Sequence, residues 1–308
     1  MAILPRRVGV VYYRLTFPLI SEVMVNRREL VRRMTLPVLV VLLLTGCHGA
    51  QPEPTLVPTA VPPVTYERFD LEQDLYVRQI GEGVYVITHA FPWPANSMIV
   101  EMADSTLVLV DTPYTPEATQ VVLNWIQARL GKREIVAINT GFHHDNLGGN
   151  GALLAAGILV YGSDLTARLL EERGDQMRAQ TLAWLEEPEY ARYRQVHETL
   201  PYMPPDHLFP IDEGLELQFG TEIAQVYYPG PTHAPDNVVV FFPSRGILFG
   251  GCMIIGWDEV GNTADADLEA WPDSVRKLSQ FDFNVLVPGH GERLDPSLLQ
   301  HTLDSLAP

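Results

Sequence analysis

A chain of 308 residues with 46% hydrophobic and 19% charged residues has the composition of a globular protein, and general disorder is excluded. Its formal net charge of −17 repels nucleic-acid phosphate, so no nucleic-acid partner is expected. Length alone is compatible with one large domain or two small ones.

The first element in chain order is an export signal. Residues 24–47 read MVNRRELVRRMTLPVLVVLLLTGC, with Arg27, Arg28, Arg32 and Arg33 ahead of an apolar run shorter than the roughly 20 residues a bilayer span needs. A basic flank, a short apolar stretch and small residues before a break make residues 1–47 a signal segment, and Met24 opens it better than Met1. Its end resembles a bacterial lipoprotein signal, in which the cysteine after Leu-Thr-Gly becomes the acylated first residue; here that is Cys47. A lipid-anchored protein of the cell envelope is expected, with a periplasmic or secreted protein as the alternative. Loss of residues 1–46 removes seven Arg and two Glu, which leaves 14 basic against 36 acidic residues and a net charge of −22. Residues 48–65, rich in Pro and Thr, cannot pack a core and form an extended linker. One folded domain is expected over 66–308. With Cys47 acylated, Cys252 is the remaining cysteine, so no intrachain disulfide is expected.

Within that domain, GVYVIT (83–88), SMIVEM (97–102) and STLVLVD (105–111) have the β-branched content and turn flanks of consecutive strands. TPEATQVVLNWIQARLG follows, a helix capped by Thr115, with Pro116 at its first position and Gly131 as its stop. Val121, Val122, Trp125, Ile126 and Leu130 give it one apolar face. EIVAIN is again a strand, and NGALLAAGILVYG reads as a short helix and a strand. From Asp164 to about Leu200 the chain is helical and charged, with Leu165, Leu169, Leu182, Trp184 and Leu185 available for packing over the body of the domain. Then come LELQF, AQVYYPG, NVVVFFP, GILFGGC and NVLVPGH as strands, and helices near 272–281 and 296–305. This order predicts a layered α/β structure with helices on both outer faces.

Polar residues collect where strands end. NTGFHHDNLGG follows one strand; PGPTHAPDN, GGC and VPGHGE follow others. Ligands gather at the carboxyl ends of strands because loops converge there over a rigid base, so His143, Asp145, His233, Cys252 and His290 can meet in one cleft. Imidazole, carboxylate and thiolate together match zinc. Calcium and magnesium prefer oxygen alone, and the carboxylate argues against copper, whose softness would otherwise fit. A bound cation would also explain a lone cysteine, because it keeps the thiolate deprotonated.

These stretches, with VLVDTPYT, LFGGCMI and GNTADADLEAWPDS, resemble the successive motifs of the metallo-β-lactamases from about Val77 onward, and most of all the branch in which a cysteine ligates zinc. The resemblance implies an αβ/βα sandwich of two mixed β-sheets flanked by helices, with the metal at one edge. It assigns Asp145, Cys252 and His290 to one zinc site, and His143 and His233 to a companion site. The third histidine of that companion would stand where this chain has Gly141, so one zinc is expected in the cysteine site and a weak or empty second site. Adjacent His144 is not expected to replace it. Carbapenem-specific relatives also lack that histidine, having asparagine there, and carry a similar long helical segment.

The resemblance further implies attack on an amide or ester carbonyl by zinc-activated water. His143 and Asp145 would orient or deprotonate the water, His233 would hold substrate or water, and Asn262 would polarise the carbonyl. Two departures stand out. Asn146 occupies a position where many relatives have arginine or histidine. Ile255 stands where many relatives bind the substrate carboxylate with lysine, and no Lys or Arg lies between Cys252 and Asn262. Arg245 or Arg293 are the available substitutes. Three readings follow: an envelope zinc β-lactamase, a zinc hydrolase of another ester, lactone or amide, and a non-catalytic zinc-holding envelope protein. A monomer acting on a small-molecule substrate is expected for the catalytic readings.

Overall fold

A computed structural model describes residues 66–307; the signal segment with Cys47 and the linker 48–65 lie outside the described residues. An eight-stranded sheet comes first. It contains β1 (Glu67–Glu72), β2 (Leu75–Gly81), β3 (Val84–Ala90), β4 (Pro94–Glu101) and β5 (Leu107–Val110), which pair antiparallel in sequence order. Helix α1 (Pro116–Leu130) carries the chain back so that β6 (Ile135–Ile138) lies parallel to β5. Two short helices follow, α2 (His144–Leu147) and α3 (Asn150–Ala155), and then the parallel strand β7 (Leu159–Ser163). Helices α4 (Asp164–Trp184) and α5 (Ala191–His197) precede β8 (His207–Phe209), which closes the sheet.

The second sheet has the order β13-β12-β11-β10-β9, from β9 (Leu215–Phe219), β10 (Glu222–Tyr227), β11 (Val239–Phe242), β12 (Ile247–Gly251) and β13 (Val285–Pro288). Its pairs are antiparallel except β12 with β13. Helix α6 (Trp271–Arg276) lies between those two strands in sequence, and α7 (Leu298–Ser305) ends the described chain. Both sheets are therefore mixed, as expected.

Period-two patterning sorts the side chains into layers. Val84, Val86, Met98, Val100, Val108 and Val110 face the second sheet, where they meet Leu217, Ala224, Val240 and Phe249. Their neighbours Tyr85, Ile87, Ile99, Leu107 and Leu109 face outward onto Val122 and Ile126 of α1. On the far side, Leu248 and Leu286 pack under Trp271, Val275 and Leu298 of α6 and α7. The layers run helix, sheet, sheet, helix. Thr115 caps α1 as its sequence predicts, accepting a hydrogen bond from Ala118 N, and Gly131 ends the helix with φ 80°.

Strands β1, β2 and β8 were not among the sequence-predicted elements. β1 is an edge strand, ERFDLE, with mostly exposed side chains, so it has no hydrophobic alternation strong enough to read. β8 has three residues, too few for a period. Trp184 also differs from expectation: it is 40% exposed instead of packed. Among the described residues, no helix is long and apolar enough to cross a membrane.

Candidate metal centre

The loops after β5, β6, β10, β12 and β13 build the site. Asp111, just beyond β5, adopts a left-handed φ of 58°, a conformation that costs a non-glycine residue about 1–3 kcal/mol. Its carboxylate accepts hydrogen bonds from Thr140 N (2.7 Å), Thr140 Oγ1 (2.7 Å) and Asn146 Nδ2 (3.0 Å), which hold the histidine-rich loop in place. Burial still pushes the Asp111 carboxyl up to about 8.

Asp145, on α2, meets two residues of the other sheet. Its Oδ2 lies 3.1 Å from His290 Nε2 and 3.3 Å from Cys252 Sγ, and the last two atoms are 3.9 Å apart. All three ligand atoms fall within 4.8 Å of one another. His290 Nδ1 is 2.7 Å from the Pro94 carbonyl, an acceptor only, so Nδ1 carries the hydrogen. Nε2 donates to Asp145 in the absence of a metal; a cation that displaces this proton would meet the Nε2 lone pair, with Nδ1–H held by the carbonyl as in metal-ligating histidines. The loop that presents His290 is bound by the opposite sheet. Asn96 of β4 donates from Nδ2 to Pro288 O (3.1 Å) and Gly291 O (2.8 Å), and from its backbone N to Gly289 O (2.7 Å). Arg78 of β2 donates to Glu292 O (3.1 Å). Gly289 is required by close approach: a Cβ there would lie 2.7 Å from Cys252 N and 2.9 Å from its Sγ.

Burial alone would raise the Asp145 pKa, but the His290 hydrogen bond and the neighbouring histidines outweigh it and hold the carboxyl well below its ordinary range. Burial, then the charges of Asp145 and Asp111, pushes the Cys252 thiol well above its ordinary range. A thiolate at this position therefore requires a cation. Carboxylate, thiol and a correctly oriented imidazole fit zinc by donor type and spacing.

His143 and His233 come together beside this cluster, with ring centroids 5.1 Å apart. His143 Nε2 is 3.1 Å from Asp265 Oδ2, and Arg173 on α4 donates to Asp265 Oδ1 at 3.0 Å. That leaves His143 Nδ1 as its free nitrogen. His233 Nδ1 is buried without a partner. At Gly141 a Cβ would stand 2.6 Å from Asn237 Nδ2 and 3.1 Å from Asn146 Oδ1, so two asparagine amides occupy the space a side chain would need. His144 instead joins an aromatic cluster with Tyr114 and His197, at centroid distances of 5.3 and 5.0 Å, and burial lowers its pKa to about 3.

The cluster lies in a cleft of about 680 Å³. Trp93, Trp184 and Trp257 line it, and the Trp257 ring lies tilted by 36° against His290, centroids 4.8 Å apart. Asn262 also lines the cleft; its Oδ1 accepts from Ala264 N at 3.0 Å, which leaves Nδ2 as a donor. Neither alternative cation reaches the cleft. Arg245 binds Glu222 at 2.8 Å, and Arg293 pairs with Asp295 and Ser297. Sequence reasoning did not single out Asp265, Arg173 or Asp111. Asp265 stands three residues after Asn262 in the stretch GNTADAD, but an aspartate in an acidic loop carries no signal of its own.

The Metallo-beta-lactamase superfamily model matches residues 90–290. A "Metallo-beta-lactamase type 2" of Bacteroides fragilis is 30% identical over 257 residues, covering 80% of this chain and 90% of that protein. The protein of the same name from Bacillus cereus is 31% identical over 239 residues, covering 75% and 82%. A solved metallo-beta-lactamase from Pontibacter korlensis superposes with a TM-score of 0.63 at 33% identity, covering 75% of this chain and 98% of that one.

Proposed function

The chain belongs to the metallo-beta-lactamase superfamily, and from that premise we propose a zinc-dependent hydrolase that opens a cyclic amide of the β-lactam type, with the zinc in the cysteine-containing site. The observation that carries this reading is the Asp145–Cys252–His290 cluster, three unlike ligand atoms within 4.8 Å on the wall of an open cleft. A zinc ion held there supplies Lewis acidity, enough to bring the pKa of an adjacent water to about 7.

The surrounding residues have separate tasks. His143, tied through Nε2 to Asp265 and lining the cleft, offers its remaining nitrogen, Nδ1, as a proton acceptor for the attacking water. Burial opposes charge on this ring, but the Asp265 hydrogen bond and nearby carboxylates outweigh it and raise its pKa, which favours uptake of a proton. His233 positions water or substrate opposite His143. Asn262 Nδ2 donates to the carbonyl oxygen, a role typically worth a factor of about 100 to 1000 in rate. The water oxygen bonds to the carbonyl carbon, the C–N bond breaks, and a proton passes to the leaving nitrogen.

A second reading, hydrolysis of another ester, lactone or amide by the same groups, is favoured by one observation: neither Lys nor Arg is among the described residues lining the cleft. Zinc-loaded protein assayed against a penicillin, a cephalosporin, a carbapenem and a panel of esters and lactones separates the two. Chelator-sensitive turnover of any β-lactam supports the first reading; turnover of esters or lactones alone replaces it with the second. Absence of all turnover with zinc bound defeats both.

A further inference from the structure

We propose that this cleft selects substrates whose apolar arm carries no negative charge beside the reacting carbonyl. The inference rests on the hydrolase reading for the reaction, while its argument concerns the walls of the cleft.

Charge decides the first half. Glu259 and Asp265 are the acids lining the cleft apart from Asp145. Asp265 is neutralised by Arg173, whose guanidinium is spent on it. Glu259 has no ion-pair partner and is exposed. A zinc ion would not reverse this sign: its two positive charges are matched by the carboxylate of Asp145 and the thiolate of Cys252, with His290 neutral. A substrate carboxylate placed away from the metal meets the unpaired charge of Glu259 and no Lys or Arg donor, although charge-assisted bonds are the strong ones in such sites.

Shape decides the second half. Trp184 is 40% exposed and Trp257 36% exposed, and both line the cleft with Met177 and Val260. Trp93 meets Trp184 edge to face at 6.1 Å, which makes one aromatic wall; Trp257, against His290, makes another. Open indole faces favour apolar or aromatic groups and attract cations by their quadrupole, and they repel anions for the same reason.

The test uses the full-length, zinc-loaded protein and matched probes. A chromogenic β-lactam is compared with its methyl ester, in which the carboxylate is masked. The ester is expected to have at least a tenfold higher kcat/KM, and Glu259→Lys is expected to narrow the ratio at least fivefold. Equal rates, or preference for the free acid, overturn the proposal. If neither probe is cleaved, binding of an arylalkyl thiol with and without a carboxylate, followed by tryptophan fluorescence, decides. Tighter binding of the neutral thiol upholds the selectivity while the absent cleavage counts against the β-lactam reading alone; equal or reversed affinity sinks the selectivity.

Discussion

Asp265 is the residue whose importance depends most on geometry. It fixes the tautomer of His143 through Nε2 and is itself held by Arg173. Partners of this kind behind a site histidine typically carry 10–100-fold in metal affinity or activity. Asp265→Asn is expected to lower kcat/KM by about that factor with the fold unchanged by circular dichroism; full activity would remove His143 from the mechanism. Gly141 makes a second case. The unmodified protein is expected to retain one zinc per chain after exhaustive dialysis, measured by elemental analysis, and two retained equivalents would contradict that. Gly141→His must displace the Asn237 amide, so it is expected to lower stability by about 1–3 kcal/mol as it adds a ligand. His143, Asp145, His233, Cys252 and His290 were legible in the sequence because their types are distinctive and each follows an apolar run. Asp111, Asp265 and Arg173 were not, because common charged residues gain meaning only from what they touch.

At the scale of elements, the long charged stretch after β7 forms part of the site. Helix α4 supplies Arg173 to Asp265 and Trp184 to the cleft, and Arg178 binds it to its neighbour. Arg178 donates to the carbonyls of His197 (2.6 Å) and Leu200 (2.7 Å), and its guanidinium lies 4.5 Å from the Tyr202 ring centroid. Hydrogen bonds from a charged donor are worth about 1.5–3 kcal/mol. Arg178→Ala is expected to raise hydrogen exchange in α5 by an amount near that range, with β3 to β6 unaffected; unchanged protection in α5 would mean the contact is not stabilising. The α1 cap and the central strands could be read from the sequence because local chemistry sets them. β1 could not, since its side chains are mostly exposed and carry little hydrophobic signal, and three-residue β8 could not, since its partner β7 lies more than 40 residues earlier.

Acid sensitivity belongs to the whole molecule, because protonating a buried imidazole opposes folding itself; His89 and His197 both pack on Phe91 and Tyr114. Burial lowers the pKa of His89 and of His197 to about 4 from 6.5. Above pH 6.5 both folded and unfolded chains hold these rings neutral, and no stability is at stake. Below it the unfolded chain takes up protons first, so stability falls as pH drops from 6.5 toward 4, by on the order of 3 kcal/mol for His89 alone. Urea midpoints measured across this range are expected to decline, and less steeply in His89→Gln; an unaltered slope would assign the loss to other groups. The two-sheet architecture follows from period-two patterning over many strands, while attachment to a membrane is an expectation from the N-terminal sequence alone. Cys47→Ser is expected to shift the protein from the membrane to the soluble fraction on cell fractionation, and retention with the membrane would argue against acylation.

Three of the backbone carbonyls around His290 accept their hydrogen bonds from Asn96, nearly 200 positions earlier in the chain. A polypeptide still emerging during synthesis therefore lacks the cluster, however well its first eight strands have formed. Competence to capture a cation arrives only when the last strand crosses to the older half, which makes the centre a late marker of a finished molecule.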